Sequence, residues 1–182
     1  AYWRKTYKTY SVDFASSVQA QLDDNNVMYR HGGTGLKVET RMLQGELQAV
    51  EDYDIILQAV LGIDGIPKET IKIITHSMGA AFGKGYVKKL KESNLTYLLS
   101  NIIPLIAFDF TNKLVADFDP YQASQLSADP NIHTLQFTHK GIIADQRQKN
   151  LPDDNYREDS KQDRHSIYSF FNDISQLQEG TY

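Results

Sequence analysis

The 182 residues contain no cysteine. That excludes a disulfide framework, a thiolate-ligated zinc or iron–sulfur site and a cysteine nucleophile. No apolar run reaches the roughly 20 residues of a membrane-spanning helix. The longest apolar passage, Tyr97 to Phe110, is broken by Ser100, Asn101, Pro104 and Asp109. There is no basic excess either. Lys and Arg number 19 against 23 Asp and Glu, a net charge of −4, so no nucleic acid is expected as partner. The five histidines show no H-E-x-x-H and no paired His–carboxylate spacing, so neither a metal site nor a cofactor is expected. No signal peptide opens the chain: Arg4, Lys5 and Lys8 alternate with aromatics and no apolar core follows. The first residue is Ala1 rather than Met, from which we expect a piece or processed product of a longer polypeptide.

What is present suits a folded domain. Hydrophobic residues make up 41% and charged residues 23%, an ordinary globular balance at a length that fits one domain, 1–182. Residues 1–26 form a polar N-terminal segment, in which Val12 to Leu22 has some helical character. Val27 to Arg30 reads as a short strand running into His31-Gly32-Gly33-Thr34-Gly35. From Thr40 to Leu61 the apolar residues Met42, Leu43, Leu47, Val50, Ile55, Ile56, Ala59 and Val60 recur with helical, one-sided spacing. Thr70 to Thr75 is the clearest strand, β-branched and mostly apolar as a buried strand should be. A helix is predicted over Met78 to Ser93, with Lys84, Lys88, Lys89 and Lys91 toward its negative end. Strands follow around Ile103–Phe110, Lys113–Phe118 and Asn131–Thr138. Residues 145–164 read as a long charged loop, and His165 to Leu177 as a last amphipathic helix. Strand and helix in alternation predict an α/β fold, a layered sandwich on a mostly parallel sheet.

The chemistry concentrates in Thr75-His76-Ser77-Met78-Gly79-Ala80-Ala81, at the junction of the best strand and the next helix. This stretch resembles the nucleophile elbow, G-x-S-x-G, of the α/β-hydrolase superfamily. A nucleophile there stands on a sharp turn, and the residues two before and two after must be small. Gly79 meets that demand; Thr75 replaces the usual glycine. The Met78 N–H, at the start of a helix, is a natural oxyanion donor. The Gly32–Gly33 turn fits the second half of an oxyanion hole. Ala80, Ala81, Gly83 and Gly85 let the helix pack tightly under the sheet. A phosphate-binding loop at Gly79 to Gly85 is the rival, and it fails: the glycines stand one residue too close, and Gly85 occupies the place of the magnesium-binding Ser or Thr.

A serine nucleophile needs a base and an acid, in the superfamily order Ser, acid, His. His133, His139 and His165 follow Ser77. His165, after the last predicted strand and before the final helix, is the best placed. For the acid, Asp145 is the first carboxylate after the strand ending at His139, and Asp117 and Asp119 are alternatives at the end of the preceding strand.

Further stretches resemble the lipase-like α/β-hydrolase domains at the C-termini of bacterial RHS-repeat proteins. They are Lys68 to Ala81 with Gly85-Tyr86-Val87, Ala116-Asp117-Phe118-Asp119-Pro120-Tyr121-Gln122, Leu135-Gln136-Phe137-Thr138-His139 and His165-Ser166-Ile167. The resemblance implies a compact α/β-hydrolase-like three-layer sandwich. It also implies a lipase or phospholipase activity, a toxin-type effector delivered by a bacterial secretion system as part of a larger polypeptide, and an immunity protein as partner. The expected reaction is ester hydrolysis through an acyl-enzyme, on an ester or lipid substrate met by peripheral membrane contact. The alternative is a hydrolase-fold binding module that is catalytically weakened or silent.

Overall fold

The computed structural model describes residues 28–60, 63, 71–101, 114–139, 147–151, 156–159 and 170–174. The chain divides into two compact units, Ala1–His31 with Ser166–Gly180, and Gly32–His165 with Thr181–Tyr182. In the first, Met28, Tyr29 and Arg30 form no strand, contrary to their local β-propensity. The same unit holds a short helix at Phe171–Ile174, within the stretch read as the final helix, with Phe170 and Ile174 buried.

The second unit begins at the Gly-rich turn and runs into helix α1, Val38–Val60. Strand β1 is Lys72–His76 and helix α2 Gly79–Asn101. Strand β2 is Leu114–Phe118, β3 His133–His139 and β4 Tyr156–Asp159. The four strands form one sheet in the order β1-β2-β3-β4, and every neighbouring pair is parallel. The α/β reading with a parallel sheet therefore holds for the described residues. Helix α2 runs well past Ser93, because no Gly or Pro interrupts Asn94 to Asn101. None of its lysines lies in the last turn, so they do not serve the helix dipole as predicted.

Parallel register puts Ile73 opposite Val115 and Thr75 opposite Asp117, so these side chains share a sheet face. Helix α2 covers that face with Phe82, Tyr86, Val87 and Leu90, and α1 adds Ala49 and Ile56 to the same core. The opposite face carries Phe118 stacked on Phe137, ring centroids 4.7 Å apart.

Two sequence expectations change here. Helix α1 buries Val38, Arg41, Ala49, Asp52 and Ile56 together with Gly45. Leu43, Leu47, Val50 and Ile55 stay exposed. The buried stripe has helical spacing, but it is chosen by close approach to α2: a Cβ on Gly45 would run into the Phe82 carbonyl oxygen and lie 2.9 Å from Tyr86 N. Residues 145–164 are also not simply loop. Within them, Tyr156–Asp159 pairs with β3, and Lys149 bridges to Ser127. Backbone pairing needs no apolar side chains, so a charged run can still form a strand. Val12–Leu22 and Ile103–Phe110 lie outside the described residues.

Candidate active site

Because the described strands are parallel, β1, β2 and β3 end at the same edge of the sheet, where ligands of open α/β sheets bind. Ser77 follows β1 directly with φ 57. A left-handed backbone is unfavourable for a residue with a Cβ and clusters at functional sites. The turn is held from both sides. Ser77 N–H donates to Phe118 O at 2.9 Å, while Tyr121 N–H and Ala80 N–H donate to Ser77 O at 3.1 and 3.2 Å. The end of β2 and the loop behind it therefore wrap the serine.

Asp119 lies in that wrapping segment. It is 1% exposed, has φ 44, and its N–H donates to Phe137 O at 2.8 Å. Two adjacent parallel strands thus end in left-handed polar residues, Ser77 and Asp119. Asp117, two residues earlier, faces α2. Its carboxylate is fully buried and accepts from Thr75 Oγ1 at 2.5 Å and Gln148 Nε2 at 2.7 Å. Lys84 Nζ stands 3.0 Å from its Oδ2. Asp117 is thus occupied by a structural network rather than offered at the sheet edge. Asp145 and His165 lie outside the described residues.

Thr75, in the place of the usual elbow glycine, fits for a reason the motif does not disclose. Its hydroxyl is held by Asp117, and its methyl packs where a Cβ on Gly83 would come within 2.7 Å. Gly83 thus provides the room, whereas a Cβ on Gly79 would meet nothing within 4 Å. Gly85 packs against α1 at Met42, not against the sheet.

The Gly-rich turn reaches this elbow. A Cβ on Gly32 would lie 2.9 Å from Gly79 Cα and 3.4 Å from Gly79 N, so only glycine permits the approach. Gly33 has φ +78, a conformation glycine adopts without strain. Gln44 Oε1 accepts from Thr34 N–H at 2.6 Å. Arg41, 9% exposed, donates from Nε to Gly35 O at 2.7 Å and from Nη1 to Gly33 O at 3.0 Å and to Gly32 O. Among the described residues, neither the Met78 nor the Gly33 N–H donates a hydrogen bond. Arg41 and Gln44 carry no motif signature; their role depends on the Gly-rich turn folding back over α1.

Away from the edge, a cavity of about 360 Å³ opens between α2 and the Ser127–Ile132 loop. Lys91 pairs there with Asp129, and nearby Lys88 pairs with Glu46 at 2.7 Å. Burial alone would push the Asp129 carboxyl up, but the Lys91 ammonium and the Asn131 N–H outweigh it and hold it below its ordinary value. The Glu46 carboxylate raises Lys88. Among the described residues, no group of three or more His, Asp or Glu side chains is placed to hold a metal ion, and no helix is long and apolar enough to cross a membrane. The chain matches no protein-family model, no curated protein and no solved structure.

Proposed function

We propose that this chain is a serine ester hydrolase of the α/β-hydrolase type, with Ser77 as nucleophile. The observation that carries the reading is the left-handed Ser77 between a parallel strand and a helix, the strained geometry a nucleophile elbow requires. Ser77 Oγ attacks the ester carbonyl carbon as its proton passes to His165, and the carbonyl electrons move onto oxygen. The Met78 and Gly33 N–H groups receive that oxyanion. Collapse expels the alcohol, which takes the proton from His165. Water then repeats the sequence on the acyl-enzyme, releasing the acid and restoring Ser77.

His165 is assigned from its order in the chain. For the acid, Asp119 just past the end of β2, in the segment that wraps Ser77, is favoured over Asp117, which lies inside the strand on the face under α2; Asp145 is the competing candidate. The resemblance to RHS C-terminal domains supports a lipid ester as substrate, a three-layer sandwich as the full fold, delivery by a secretion system and an immunity protein as partner.

Covalent labelling by a fluorophosphonate, located by mass spectrometry, tests the nucleophile and its activation together. The label is expected on Ser77, with hydrolysis of a short-chain chromogenic ester that Ser77→Ala abolishes. Asp119→Asn should lower turnover by up to ~10⁴, the scale seen when a triad loses its orienting carboxylate. An unlabelled Ser77 without ester turnover would leave a silent binding module instead. If Asp145→Asn alone is impaired, the acid assignment moves to Asp145.

A further inference from the structure

We infer that Arg41 is the positioning residue of the oxyanion hole, turning the Gly32–Gly33 peptide so that the Gly33 N–H is the second donor beside Met78. The inference rests on the ester-hydrolase reading. Its basis is a single buried guanidinium that donates to three carbonyls of one short turn, those of Gly32, Gly33 and Gly35. A trans peptide is planar, so its C=O and N–H point in opposite directions. With Gly32 O turned onto Arg41, the Gly33 N–H is turned away from it.

The next donor along the turn is already committed, since Thr34 N–H is bound by Gln44 Oε1 at 2.6 Å, whereas the Gly33 N–H has no acceptor among the described residues. The contact of Gly32 with Gly79 sets the same peptide against the elbow.

The residue type matters. Guanidinium is charged at any working pH and presents a rigid planar fork of donors. Holding three carbonyls at once fixes both the position and the rotation of the turn. A donor aimed before reaction needs no reorganisation as negative charge develops on the carbonyl oxygen. An ammonium at this position reaches fewer carbonyls, and an apolar side chain none.

The test uses Arg41→Met and Arg41→Lys, each checked for folding by its thermal transition, with kcat and KM measured separately on the chromogenic ester. Arg41→Met should lose on the order of 10²-fold in kcat with KM changed less than about two-fold, because a displaced oxyanion donor acts only in the transition state. Arg41→Lys should recover part of the loss. A folded Arg41→Met with unchanged kcat, or with its defect in KM alone, overturns the inference.

Should Arg41→Met not fold, the intact protein decides. An alkylboronic acid that forms a tetrahedral adduct on Ser77 should move the amide proton of isotope-labelled Gly33 downfield, and Ser77→Ala should abolish that shift. If Ser77 takes the fluorophosphonate label but the Gly33 amide stays unmoved, this inference falls and the nucleophile stands. If Ser77 neither labels nor hydrolyses ester, the hydrolase reading fails and carries this one with it.

Discussion

At Ser77 the chain accepts a backbone conformation that its own chemistry disfavours. The cost of the left-handed region for an L-residue is about 1–2 kcal/mol, and glycine escapes it at the expense of ~0.5–1 kcal/mol of extra unfolded-state entropy. Ser77→Ala and Ser77→Gly both remove the nucleophile, so neither should turn over substrate. Their stabilities should differ all the same: Ser77→Gly should be more stable than Ser77→Ala by ~0.5–1 kcal/mol in urea titrations. Equal midpoints would show that no strain is stored at this residue. Asp117 carries a different lesson. In the sequence it stood beside Asp119 as an alternative acid. In the fold, its carboxylate is bound by Thr75, Gln148 and Lys84, because strand alternation turns it onto the face under α2. Two carboxylates two residues apart thus meet different environments: Asp117 sits inside the strand, and Asp119 lies just past its end.

Among the elements, the contact between α1 and α2 is decided by glycine rather than by leucine. A Cβ on Gly85 would overlap the Met42 carbonyl oxygen and lie 2.6 Å from its carbon. In an isolated helix, Gly→Ala gains about 1 kcal/mol. Here the sign reverses, because the methyl must push two backbones apart. Gly85→Ala is expected to lose ~1–3 kcal/mol by thermal or urea unfolding. Gly79→Ala, whose new methyl meets nothing within 4 Å, serves as the contrast and should be neutral or slightly stabilising. If both variants unfold alike, the helices do not touch at Gly85. The same contact explains why the pattern of apolar residues predicted that α1 exists but not which face it buries. Leu43 and Leu47 mark helical spacing, yet Gly45 and Ala49 allow the nearer approach. Arg41 and Asp52 turn inward with them, Arg41 to the Gly-rich turn and Asp52 to the Tyr86 hydroxyl at 2.9 Å.

Across the whole molecule, the Asp129–Lys91 pair ties the loop before β3 to α2, and it adds an acid-sensitive contribution to stability. The Asp129 carboxyl is held below its ordinary value of 3.8 in the fold. A group depressed on folding stabilises at pH above its unfolded value, and that contribution is lost as pH falls through the folded value. Asp129→Asn should therefore be less stable than the parent at about pH 6, with the gap narrowing progressively in urea titrations as the pH falls below the ordinary carboxyl value. A gap that persists in acid would remove the ion pair as its cause. Lys88 has the opposite sign. Raised above 10.5 by Glu46, it contributes below its unfolded value and loses that contribution as pH climbs through the folded one.

What the sequence determined by itself was local. The strand at Lys72–His76, the turn at Ser77 and the helices on either side are written in β-branched runs, small residues and apolar period, each legible within a few neighbours. The alternation of these elements also implied a parallel sheet, since parallel strands need long crossovers. Tertiary structure alone decided what depends on distant segments meeting. It engaged Asp117 in a buried network under α2 while placing Asp119, equally buried, just past the strand end, paired the charged Tyr156–Asp159 with β3, chose the small-residue face of α1, and brought Arg41 onto three carbonyls of the Gly-rich turn. The reason is physical. Propensity and periodicity act over one or two turns of chain, whereas burial, ion pairing and backbone contact are properties of packed surfaces, and a residue's own sequence neighbourhood does not contain them.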